Sequence, residues 1–251
     1  MELSVTWDVK TLTNTLSKFE KKQVPFATAN AINDTAADVR TALYRKMNAV
    51  FSAPTAFTVP RNIEKATNRK GSLFLVPAKK NKLSAMVHVK DYSYSGAPAI
   101  KWLRPHIKGG GRGSKASERS LRIHGIIGGD KYITPSTRSP YGSVSLNKFG
   151  NVTKGMMVKI LSGLSALQGA PSGNVSRQSS SYFILRLGGK GSATGIWKRT
   201  GKNRIQKLFN VTNQPKYKPR LPFDSVGRDS FNKNFKPNFE RQIQYAIRTA
   251  R

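Results

Sequence analysis

The chain has 251 residues, with 44 Lys or Arg against 12 Asp or Glu, for a formal net charge of +32. Its 37% hydrophobic content can build a core, and this length holds one large domain or two small ones. The absence of cysteine excludes disulfides, thiolate catalysis and cysteine zinc sites, and the charge points to a polyanion or an acidic protein surface as counterpart.

In chain order, Met1 to Asp8 carries acids and lacks the basic-then-apolar pattern of an export signal. No apolar run reaches bilayer-spanning length. A soluble, unexported protein made in the cytoplasm, with no membrane partner, is therefore expected. Residues 8–22 read as a first helix, capped by Asp8 and carrying Leu12, Leu16 and Phe19 on one face. Gln23-Val24-Pro25 is expected to break it, with Pro25 in the first turn of the next helix. That helix, Phe26 to Phe51, has an apolar stripe of Ile32, Ala36, Val39, Leu43, Met47 and Val50 at helical spacing. Ala53-Pro54-Thr55 stops it.

Leu73 to Val76 reads as a strand stopped by Pro77. Leu83, Ala85, Val87 and Val89 alternate with polar or larger residues and read as a half-buried strand. The basic turn Lys79-Lys80-Asn81-Lys82 would join the two as an antiparallel pair. Tyr92-Ser93-Tyr94 and Trp102-Leu103-Arg104-Pro105 form a mixed segment at a core edge. Lys108 to Arg122 is a glycine-rich basic loop turning helical near Ser117, and residues 124–155 are mostly turns. Met156 to Leu167 reads as a short helix, residues 169–181 as an exposed Ser/Gly loop, and Tyr182 to Leu187 and Lys207 to Val211 as strands. A last helix begins at Asp224 and turns Val226, Phe231, Phe235, Phe239, Ile243 and Ile247 inward, with Pro237 expected to kink it. No internal repeat is present.

The fold class that follows is α+β: N- and C-terminal amphipathic helices bracketing a small antiparallel-strand, loop-rich basic body. The divisions are a helical region over 1–60, the basic body over 61–223 and a C-terminal helix over 224–251 that packs back on the first helices, all one structural unit. From Tyr92 to Phe223 there are 23 Lys or Arg and two acids, Glu118 and Asp130. The candidate contact residues lie there: Arg104, Lys108, Arg112, Lys115, Arg119 and Arg122, then Lys198, Arg199, Lys202 and Arg204. Trp197 is assigned to packing beneath its loop.

Positive signs of catalysis are lacking. The carboxylates are scattered, where a Mg²⁺ site needs them clustered, and Asp34 and Asp38 form the one close helical pair. His88, His106 and His124 have no helical spacing and no supporting acid. Neither a Gly-x-Ser-x-Gly elbow nor a phosphate loop with Gly-Lys-Ser/Thr occurs. No enzyme activity, metal or cofactor is expected.

One ordered series of motifs is shared with a known family. It comprises Lys22 to Ala36, Phe51 to Thr58 (FSAPTAFT), Trp102 to Arg112, Leu121 to Ile127, Gly195 to Gly201 and the basic C-terminal helix. In these the chain resembles the minor tail protein Z and tail-completion (neck) proteins of tailed bacteriophages. It departs from that pattern at Lys198, where glutamine is expected. The resemblance implies a structural virion protein at the neck or head-proximal tail, which completes the tail and helps head–tail joining. It implies portal, adaptor or tail-tube proteins as partners, several copies or a homo-oligomeric ring, and a basic face toward double-stranded DNA in the channel or toward acidic ring proteins. The alternative is a free, sequence-nonspecific nucleic-acid-binding protein.

Overall fold

The computed structural model describes residues 2–6, 20–93, 96–137, 139–167, 181–186 and 193–249. Among them are five helices and nine strands, all strand pairs antiparallel, so the chain is α+β. Terminal segments rich in helix flank the strands. The chain divides into two compact units, at boundaries other than those expected from composition. Unit 1 combines residues 1–109 with 218–251, and unit 2 is the intervening stretch 110–217. The strand pair at residues 73–89 thus belongs with the helical ends. It does so because its apolar side chains complete the core that the long helix beginning at Glu20 opens.

In unit 1, β1 (Glu2–Thr6), β3 (Ser84–Val89) and β2 (Leu73–Val76) form a three-stranded sheet in the order β1-β3-β2. The basic turn joining β2 and β3 is closed by the Lys79–Lys82 bridge. Strand β1 went unpredicted, although Leu3 and Val5 alternate with polar residues. The long helix α1 (Glu20–Val50) runs through Pro25, so the expected break does not occur. Pro25 is its sixth residue, early enough that the lost N–H removes one intrahelical bond near the helix start. The expected helix over 8–22 lies mostly outside the described residues. The predicted stripe is inward, with Ile32, Val39, Leu43 and Met47 buried against Leu73, Leu75, Ala85, Val87 and Val89 of the sheet.

Helix α2 (Ile100–Lys108) replaces the irregular segment expected there. Ile100, Leu103 and Ile107 have helical spacing, and Leu103 and Ile107 are buried. Pro105 inside the helix hid the pattern. The C-terminal helix α5 (Phe223–Thr249) packs on α1. Its buried residues include Gly227, Ser230, Asn238 and Ala246, and Val226, Phe231 and Phe235 flank the core. Ile247, expected inward, is 69% exposed. Small residues let the two helices approach, so the large side chains turn aside. Asn238 locks the pair: its Nδ2 donates to Asp38 Oδ2 at 2.8 Å and to Thr35 Oγ1 at 3.1 Å. Arg241 and Gln242 both donate to Asp34. The two aspartates of the close helical pair are helix anchors.

Tyr44 is fully buried at the centre of unit 1. Its hydroxyl accepts from the Leu73 N–H at 2.9 Å and donates to the Lys70 carbonyl at 3.3 Å. Burial pushes its pKa from 10.0 up to about 12, against the opposing Leu73 hydrogen bond and the Arg40 charge. Between those values the unfolded chain ionises Tyr44 and the folded one does not. The folded state then holds more protons, so stability falls as pH rises. Unfolding titrations should show unit 1 losing about 2–3 kcal/mol from pH 10 to 12, and Tyr44→Phe should remove that slope.

In unit 2, β5 (Tyr132–Pro135), β8 (Arg204–Thr212), β7 (Ala193–Gly201) and β6 (Tyr182–Arg186) form a four-stranded sheet in the order β5-β8-β7-β6. A second pair joins β4 (Gly110–Gly111) to β9 (Lys216–Tyr217). Residues 124–155, expected to be turns, contain β5. Helices α3 (Ala116–Ile123) and α4 (Lys154–Gly163) contribute Leu121, Ile160 and Leu161 to a core with Ile127, Ile133, Ile196, Leu208 and Phe209. The Thr153 hydroxyl caps α4 by accepting from the Met156 N–H. Among the described residues no helix is long and apolar enough to cross a membrane.

Candidate functional site

Unit 2 carries 18 Lys or Arg against Glu118 and Asp130, so its few ion pairs decide which cations stay available. Glu118 sits on the first turn of α3 with its side chain fully buried. It accepts from Arg112 Nη1 at 2.8 Å and Nη2 at 2.5 Å, from the Lys115 N–H at 2.7 Å and from the Ile133 N–H at 3.0 Å. Burial alone would raise its pKa. The Arg112 pair and the two backbone donors outweigh burial and hold it below the ordinary 4.5. The same contact raises the Arg112 pKa above its ordinary value.

This cluster closes the open edge of β5. The Ile133 N–H goes to Glu118, the Ile133 carbonyl accepts from Arg112, and the Lys131 carbonyl accepts from Arg122 Nε and Nη2. Pro135 has no N–H to offer. An edge strand left bare invites pairing with another chain, and here three side chains occupy it. The guanidinium carbons of Arg112 and Arg122 also lie 5.1 and 4.7 Å from the Tyr132 ring centroid. Arg112 and Arg122, expected at the surface as contact residues, are therefore structural. Through them the glycine-rich loop is fastened to α3 and β5.

Most of the other expected contact residues are outward. Lys115 and Arg119 are exposed near the α3 start, with Arg119 donating to the Ser114 carbonyl. Lys202 and Arg204 are exposed at the two-residue β7–β8 turn, which Gly201 and Arg204 close. Lys198 is half-buried with its ammonium 5.8 Å from the Tyr182 ring, and Arg199 is exposed with its guanidinium 5.8 Å from Phe183. Being adjacent on β7, these two face opposite sides of the sheet. Arg104 and Lys108 lie four apart on the exposed face of α2, in unit 1.

Lys207 was not singled out from the sequence, yet it stands on β8 with its ammonium 5.4 Å from the Trp197 ring. Its signal was faint, the second cation of the strand pattern Arg204-Ile205-Gln206-Lys207. A bulge shifts the frame: Ile196 pairs with Phe209, whereas Trp197 pairs with Lys207. Leu208 and Phe209 consequently both enter the core, and Lys207 emerges beside Trp197. Trp197 is buried, as expected, but against Tyr141 and Lys207.

No group of three or more His, Asp or Glu is placed to hold a metal ion among the described residues. His88 is on β3, His106 on α2, where burial and then the Arg220 charge lower its pKa, and His124 ends α3. No family model, curated protein or solved structure matches the chain.

Proposed function

We propose that this protein is a structural virion component of a tailed bacteriophage. In that role it sits at the neck or head-proximal tail, completes the tail and helps join it to the head. The observation that carries the chemistry is the uncompensated charge of unit 2: Glu118 is consumed internally, which leaves Asp130 as the second acid against a surface of exposed cations. Such a surface needs an anionic neighbour, either DNA passing a channel or an acidic ring protein, and several copies sharing partners would divide the charge. The place in the virion is supported by the ordered motifs described from the sequence.

Labelling the protein in purified virions and viewing them by electron microscopy tests this. Signal at the head–tail junction is the expected result. Absence from particles, with recovery on DNA in lysates, would favour a free nucleic-acid-binding protein instead. Charge reversal at the hairpin turn, Lys202→Glu with Arg204→Glu, should cut the yield of infectious particles at least about ten-fold. Both side chains are exposed, so the unfolding midpoint should stay nearly constant. Normal particle yield would remove the hairpin from the contact surface.

A further inference from the structure

One face of the four-stranded sheet covers the core of unit 2, and the opposite face has a different composition. The registers Phe183–Trp197 and Trp197–Lys207 set these three residues in one row across β6, β7 and β8. The Tyr141 ring meets Trp197 edge-on at 5.4 Å and is 55% exposed. Two cations are interleaved with the rings, Lys207 over Trp197 and Arg199 over Phe183. Aromatic faces alternating with cations across a sheet match the demands of an unpaired nucleotide chain, whose bases offer π-faces and whose backbone offers phosphates.

An independent feature points to a ligand at the same place. Trp197 is 5% exposed, and its Nε1–H is buried without any hydrogen-bond partner. Buried donors are almost always paired. Nε1 lies near Gly195, where a Cβ would meet the Phe209 carbonyl oxygen at 2.7 Å, the Lys207 Cε at 2.9 Å and Nε1 at 3.2 Å. The missing Cβ is what allows the β8 backbone, the lysine stem and the indole edge to share this spot.

We propose that this face binds single-stranded nucleic acid. Bases stack on Tyr141 and Phe183, Lys207 and Arg199 leave the rings to meet phosphates, and the Trp197 N–H takes an oxygen of the bound strand. A duplex hides its base faces in the stack and can use the cations alone. Polyglutamate likewise has no ring to stack on the exposed Tyr141. The site needs neither a virion nor a neighbouring subunit, so it stands or falls separately from the proposed place in the phage.

The test is fluorescence anisotropy of the full-length protein with a labelled oligothymidylate of about 15 nucleotides. A duplex of equal length and polyglutamate serve as competitors at about 0.15 M salt. The single strand is expected to bind at least about ten-fold more tightly than the duplex. Tyr141→Ala should cost about ten-fold for the single strand and leave duplex binding unchanged, whereas Tyr141→Phe keeps the affinity. Competition by duplex or polyglutamate equal to that of the single strand would overturn the proposal, as would unchanged single-strand affinity in Tyr141→Ala. The wild-type preference decides the matter even where a variant folds poorly.

Discussion

Replacing Glu118 by alanine should destabilise unit 2 by about 3–5 kcal/mol, the range for breaking a buried ion pair from one side. The loss is large because four donors point at one carboxylate: both Arg112 nitrogens and the N–H groups of Lys115 and Ile133. Without it, the Arg112 charge remains beside a low-dielectric core, and the β5 edge loses its cover. Glu118→Gln keeps the shape but not the charge and should fall between. Arg112→Met combined with Glu118→Leu should recover part of the loss, since removing both partners leaves no orphaned charge. Hydrogen exchange of unit 2 amides reads the effect locally, and an unchanged exchange pattern in Glu118→Ala would dismiss the latch. The pH dependence has a definite sign. The folded pKa of Glu118 lies below the unfolded one, so its contribution is complete above about pH 4.5 and is lost as pH falls through the depressed folded value.

Gly71→Ala should strongly destabilise unit 1. Gly71 has φ +76°, where L side chains are strained, and its new Cβ would fall onto the Tyr44 hydroxyl and lie 2.8 Å from Pro60 Cδ. Tyr44 has no room to withdraw, because its hydroxyl is fixed by Leu73 and Lys70 and its ring is fully buried. Overpacking and backbone strain together should cost about 3 kcal/mol or more. Gly96→Ala separates the two contributions, for Gly96 has φ +84° and nothing within 4 Å of an added Cβ. It should cost about 1 kcal/mol from strain alone. Equal unfolding midpoints for the two variants would show that Tyr44 yields.

The elements readable from sequence were those whose burial follows a simple period. The stripe from Ile32 to Met47 on α1 and the alternation from Ala85 to Val89 on β3 both face the core of unit 1. Prolines misdirected the reading in two places. Pro25 sits inside α1 and Pro105 inside α2, because local propensity is a weak constraint where an apolar face is already buried. Short strands such as β5 carry too few residues to show a period, and their identity comes from a partner 74 to 80 residues away. The contact residues divided for a similar reason. Charge type is visible in a sequence, but whether an arginine meets solvent or a buried carboxylate depends on the partner. Lys202 and Arg204 lie beside a glycine in a turn and are outward. Arg112 and Arg122 looked equivalent to them, yet they serve the β5 edge. The Trp197–Lys207 contact depended on a bulge, which no periodicity announces.

Unit 1 is discontinuous, since the chain leaves it after residue 109 and returns at 218. A ribosome supplies α1 well before α5. At about 5–20 residues per second, the interval between the end of one helix and the start of the other is on the order of ten to thirty seconds. Throughout that time the alanine-rich flank of α1, including Ala31, has no helix to cover it. Unit 2 is contiguous and can finish folding before its host does. The order of synthesis therefore makes the inserted unit the elder of the two. It also leaves the nascent N-terminal helix dependent on whatever shields apolar surface during translation.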